Sequence, residues 1–194
     1  MALVKYNNNS ISAVTAVAGL TSGAMTLIKE QTISSGTGTV SFIHGSSDVV
    51  FDSTYPIYMF KYINTHPDTA DRELVFQGTT DGSNFNVTMT STYFYAYHSE
   101  AGSSGFAYDT ARDQAQGTGF QNLTTGDTLA DNNDRSLGGY LRLFDPSSTT
   151  FVKHFISRVS FYHDSDYAID GFIAGYGNTT SAIDAVQFKM SSGN

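Results

Sequence analysis

Cysteine and tryptophan are absent from this 194-residue chain, and proline occurs only three times. Without cysteine there is no disulfide framework and no thiolate metal site. Robustness has to come from packing or from association. Charge is also scarce: 14% of residues are Asp, Glu, Lys or Arg, against ~25% in a typical soluble domain. Weakly charged surfaces repel one another little, which suits a chain packed against copies of itself or a partner. The ten basic residues are scattered singly from Lys5 to Lys189, whereas nucleic-acid binding needs them clustered on one face. With a net charge of −8, no nucleic-acid partner is expected. No apolar run approaches the roughly 18 residues of a membrane helix, so no membrane is expected either. The opening from Met1 to Asn9 lacks the basic start and apolar core of a secretory signal. Synthesis in a cytoplasm and release by another route, such as lysis, are expected.

What the chain has is aromatic rings, 14 Phe and 12 Tyr, among Ser, Thr, Asn and Gly. Phe, Tyr and Thr fit a pleated sheet. Residues 1–24 differ from the rest. Ser10 is placed to cap one short helix over Ile11–Ala18, closed by Gly19. The small residues of this segment build little core, so it reads as an arm that docks on a neighbour.

From Met25 the pattern turns to period two. Thr26–Ile33 reads as a strand, 34–38 as a turn, and the stretch around Val40 and Phe42 as a second strand. Tyr55–Ile63 is apolar on both parities, with Ile57, Met59 and Ile63 against Tyr58, Phe60 and Tyr62. That pattern fits a central strand or one with a face against a partner. Glu73–Thr79 and Asn86–His98 flank Asp81-Gly82, a hairpin signal. In the long return strand Val87, Met89, Tyr93, Tyr95 and Tyr97 share one parity and Phe94 and Ala96 the other.

Residues 99–137 read as a long polar loop anchored by Phe106, Tyr108, Phe120 and Leu123. Loops of this length inside a domain commonly serve function or contact a partner. Strands resume at Tyr140–Phe144, Thr150–Tyr162, Tyr167–Tyr176 and Asp184–Met190. In the second of these, Phe151, Phe155, Val159 and Phe161 share a parity. Eight to ten strands without βαβ alternation predict an all-β chain, an antiparallel β-sandwich of jelly-roll type over 25–194 behind the short arm 1–24.

Catalytic constellations are hard to assemble from these residues. His98 with Glu100, and His163 with Asp164 and Asp166, are the local histidine–carboxylate clusters. Both fall where a strand runs into a loop, and neither has a metal-site spacing. Gly102-Ser103-Ser104-Gly105 is one residue short of a nucleophile elbow. Asp131-Asn132-Asn133-Asp134 and Asp164-Ser165-Asp166 each offer part of a calcium shell. Gly117-Thr118-Gly119 lacks the rest of a dinucleotide fingerprint. Other acids, Asp68, Asp71, Asp81 and Asp127, sit in turns, where a carboxylate bonds nearby amides; Glu30, Glu73 and Asp170 fall in expected strands. No catalytic, cofactor or metal residue is assigned, and no enzyme activity is expected. The Tyr93, Tyr95, Tyr97 row suits a sandwich core or subunit interface better than a sugar platform.

Five segments carry a resemblance. They are Asn9–Ala16 in the arm, Leu27–Ser34, Thr79–Thr88, Leu143–Thr150 and Ala174–Asp184. Through them the chain resembles virion structural proteins of marine tailed phages. Similar proteins run a few residues past this chain's last residue, into a Gly-rich strand. The resemblance implies a jelly-roll-type domain on a virion, as a head decoration or fibre-like protein. Its implied partners are copies of itself, as a trimer, and other virion proteins such as the major capsid protein. The alternative is a tail-associated adhesin reading host surface glycans through residues 99–137.

Overall fold

The structure, a computed structural model, describes residues 25–126 and 128–192. The expected arm 1–24 with its helix, Asp127 and the last two residues lie outside them. Among the described residues there is no helix. The strands are β1 (Thr39–Ile43), β2 (Ile57–Thr65), β3 (Leu74–Thr79), β4 (Met89–Ser99), β5 (Ser104–Tyr108), β6 (Ala115–Gly117), β7 (Gln121–Asn122), β8 (Leu137–Phe144), β9 (Lys153–His163), β10 (Tyr167–Gly177) and β11 (Ala185–Met190). They form two antiparallel sheets packed as a β-sandwich. The smaller runs β1-β11-β3-β7; the larger runs β2-β8-β9-β10-β4-β5, with β6 also pairing β4.

Period two decides which residues enter the core. Along β9, Phe155, Ser157, Val159 and Phe161 are buried while His154, Ile156, Arg158 and Ser160 are exposed. Rings from the two sheets meet between them. Phe76 of β3 packs edge-on to Phe155 of β9 at 5.0 Å, and Phe188 of β11 packs 5.2 Å from Phe60 of β2. On β10 the inward positions alternate Ile169, Gly171, Ile173 and Gly175. A Cβ on Gly171 would stand 2.9 Å from the Tyr93 hydroxyl, and one on Gly175 2.8 Å from the Phe155 ring. These glycines leave room for large inward side chains of the neighbouring strands.

Several expectations need correction. Thr26–Ile33 is not a strand: its residues are mostly exposed, and only Ile28 of the segment packs on the core. β3 and β4 are not a hairpin but belong to opposite sheets. Asp81-Gly82 instead shapes the crossing loop, with the Asp81 carboxylate accepting from the Ser83 and Asn84 amides at 2.9 and 2.7 Å. β2 is an edge strand, not a central one. Phe151 faces solvent at 70% exposure, and Lys153 takes the inward position. Its ammonium donates to the Phe151 carbonyl at 2.6 Å.

Residues 99–137 are not one loop. They contain β5, β6 and β7 and close the open side of the sandwich, where β5 and β6 pair β4 and β7 pairs β3. Of the four expected anchors, Leu123 is fully buried, whereas Phe106 and Tyr108 are 68% and 50% exposed. Phe120 is half-buried beneath the Lys189 ammonium, 4.2 Å from its ring centre.

Candidate interaction face

The outer surface of the larger sheet is built by the parity that faces away from the core. Strand register lines its residues up in rows across the sheet. One row runs Lys61, Tyr140, Arg158, Phe172, Phe94, Tyr108, from β2 to β5. The row on one side holds Met59, Arg142, Ile156, Ala174 and Thr92. The row on the other holds Ser160, Asp170, Ala96 and Phe106.

The middle row is an aromatic stack. Phe94 and Phe172 lie parallel, with centres 5.0 Å apart and planes at 11°. The Arg158 guanidinium covers the other side of Phe172 at 4.7 Å, and Phe106 lies 5.2 Å from Phe94. Arg158 is held over its ring by Asp170, to which its Nε and Nη2 donate at 2.9 and 2.6 Å. That paired hydrogen bond raises the guanidinium pKa further. Tyr108 donates to Asp113 at 2.6 Å, which raises its hydroxyl pKa. Apolar side chains are exposed at Ile57 (47%), Ile63 (77%), Phe106 (68%) and Ile156 (46%).

One end of this face is acidic. The Tyr162 hydroxyl lies 3.0 Å from both Glu100 Oε1 and Asp166 Oδ1. Those two hydrogen bonds, Asp166 first, push its pKa up to about 12. Arg135 stacks on the Tyr162 ring and donates to the Asp164 carbonyl and to Asp166. A guanidinium therefore occupies the middle of the Asp164-Ser165-Asp166 run, the place a cation would take. His163 Nδ1 lies 2.7 Å from Asp164 Oδ1 and 3.0 Å from the Ser165 amide. His98 is exposed on the outer parity of β4, while its expected companion Glu100 turns to Tyr162.

The remaining sequence candidates take structural places. Tyr93 is fully buried and Tyr95 and Tyr97 pack on the same core. Burial pushes the Tyr93 hydroxyl pKa well above that of a free tyrosine. Gly102-Ser103-Ser104-Gly105 makes the β4–β5 turn, with the Ser103 amide donating to Ser99 Oγ at 2.9 Å. The Thr118 and Gly119 carbonyls accept from Gln77 Nε2 at 3.1 and 2.7 Å. Asp131, Asn132, Asn133 and Asp134 are all exposed. Among the described residues no group of three His, Cys, Asp or Glu could hold a metal.

Sequence reading missed a buried polar wall and the pairing of Arg158 with Asp170. The wall ties 109–122 to the sheets: Arg112 pairs with Glu73 at 2.5 Å, and Asn122 donates to the same carboxylate at 2.5 Å. The fully buried Gln121 accepts from Ser91 at 2.5 Å and donates to the Arg112 carbonyl at 2.9 Å. The signal for the outer face was present as apolar residues on both parities of β2 and β4.

No family model matches the chain, and neither does any curated protein or solved structure.

Proposed function

We propose that the chain is a non-enzymatic structural protein of a phage virion, a head decoration or fibre-like subunit. The observation that carries the reading is the outer face of the larger sheet. A sandwich already has its core between its sheets, so a second apolar face is surplus to folding. Exposed apolar patches of this kind mark contact surfaces. The segments that resemble tailed-phage virion proteins supply the setting, with synthesis in the host cytoplasm and release by lysis. A jelly roll fits the strand order: β1-β11-β3-β7 faces β2-β8-β9-β10-β4-β5. In this reading the meander β8–β9–β10 stands where a simple jelly roll has one strand.

The glycan-adhesin reading draws less from this face. Sugar stacking needs an open ring face. Here Phe172 lies between Arg158 and Phe94, and Phe94 lies between Phe172 and Phe106. Mass spectrometry of purified particles tests the proposal. A copy number near that of the capsid subunits means the head, and a handful per particle means the tail. Absence from particles sinks it.

A further inference from the structure

We infer that copies of this chain pack on one another through the outer face of the larger sheet, the β2–β8 corner of one copy lying over the β4–β5 side of the next. The inference rests on the structural-subunit reading and names the partner of that surface as a second copy. Area is the first argument. Six strands at ~4.8 Å spacing span about 24 Å, and about nine residues along them span roughly 30 Å. The face thus offers on the order of 700 Å², close to the ~800 Å² each partner gives to a stable interface.

Charge is the second argument. Lys61 and Arg142 sit on the β2–β8 corner with no carboxylate in ion-pair contact among the described residues, while Arg158 is balanced by Asp170. Across the face, Asp113 stands beside Tyr108 at the β5 side. Glu100 lies at the acidic end by Tyr162. One side therefore carries surplus positive charge and the other surplus negative charge, around an apolar centre of Ile156, Ala174, Phe94, Ala96 and Phe106. Such a face complements itself when one copy is turned so that its basic corner meets the next copy's acidic side. A foreign partner would need that same distribution reversed; a second copy already has it.

Surface variants test this without touching the core. The Ile156 and Phe106 side chains are exposed, so Ile156→Glu and Phe106→Ser leave the monomer folded. Sedimentation equilibrium should find the native chain at two or more times 21.0 kDa. Ile156→Glu should weaken self-association about 100-fold by placing a charge against apolar surface, and Phe106→Ser about 10-fold by removing an exposed ring from it. Lys61→Glu with Arg142→Glu should weaken it as well, and so should added salt. A native chain that stays monomeric overturns the inference, and so does an Ile156→Glu chain that assembles as the native one does. Particle mass spectrometry separates the two claims. A monomer that is still found in particles sinks the self-contact and spares the virion reading; an oligomer missing from particles does the reverse.

Discussion

Two phenylalanines of the same chemistry should respond in opposite ways to truncation. Phe188 is 6% exposed, and its ring lies 5.2 Å from Phe60, 5.5 Å from Tyr62 and 6.2 Å from Phe42 and Phe76. Phe188→Ala removes a ring from the centre of that cluster. Burying a phenylalanine and filling its cavity is worth about 3–5 kcal/mol. The four aromatic neighbours place this site at the upper end, since each favourable ring pair adds about 0.5–1.5 kcal/mol. Native domains hold only about 5–15 kcal/mol in all, so one substitution takes a large share. In a domain of this size the melting point should fall by about 10–15 °C. Phe151 is 70% exposed, and Phe151→Ala should stay within about 0.5 kcal/mol. Both belong in an Ile156→Glu background, so that association does not add to stability. Urea titration followed by tyrosine fluorescence gives the values, there being no tryptophan to dominate the signal. Equal losses at the two positions, or a loss under about 2 kcal/mol at Phe188, would refute the assignment of inner and outer faces.

Glu73→Gln should destabilise by about 2–3 kcal/mol, because it leaves the Arg112 guanidinium, 24% exposed, short of its counter-charge. Hydrogen exchange should then rise first across 109–122. The Asp81 carboxylate is held far below the usual aspartate value of 3.8 by the Asn84 side chain and then by the Asn84 and Ser83 amides. A depressed carboxyl stabilises fully above the unfolded value and loses that stabilisation as pH falls from there through the lower folded value. Asp81→Asn should therefore flatten the decline in melting temperature below about pH 4, and an unchanged slope would count against the loop geometry. Tyr93 is fully buried, and its hydroxyl has no hydrogen-bond partner among the described residues. Tyr93→Phe should be neutral or stabilising by about 1 kcal/mol in a thermal melt; a clear loss would mean the hydroxyl is satisfied.

Most of the sheet was legible in the sequence, because alternation is a direct image of a face that is half buried. β9, β10 and β11 follow from period two, and so does the inward parity of Met89 and Tyr93 on β4, with the buried Val87 just before it. Legibility failed where one local signal serves two structures. Asp81-Gly82 turns a chain equally well within a hairpin or between sheets, and pairing is decided by residues far away. Thr26–Ile33 has strand-forming composition, yet no strand of the described chain pairs with it. Phe151 shares the parity of Phe155, but it precedes the point where β9 begins, so the alternation does not reach it. The wall at 109–122 was illegible for a different reason. Gln77, Gln121 and Glu73 look like surface residues, and they are buried only because carbonyls and Arg112 from distant segments satisfy them. The outer face stood in the sequence as two-sided apolarity, but only the register showed Phe94 and Phe172 side by side.

The unequal edges of the sandwich bear on how copies can meet. On one side the segment 109–122 joins the two sheets, through Gln121 to Ser91 and Arg112 to Glu73. On the other side β1 and β2 end their sheets. A free edge invites strand pairing with another copy unless something blunts it. β2 is blunted twice: it carries Lys61, and its register slips between Tyr62 and Thr65, with Asn64 turned to a positive φ of 50°. Continuing the larger sheet from copy to copy would require straightening that irregularity and covering the lysine. Its outer face also carries Lys61, but Ile156, Ala174, Ala96 and Phe106 present apolar side chains in register there, without a bulge between them. Growth edge to edge is thus opposed at β2, while on the outer face the stack of Phe94, Phe172 and Arg158 already orders side chains that a face-to-face contact would use. At that edge the geometry opposes strand addition, which favours the inferred face contact over continuation of the larger sheet through β2.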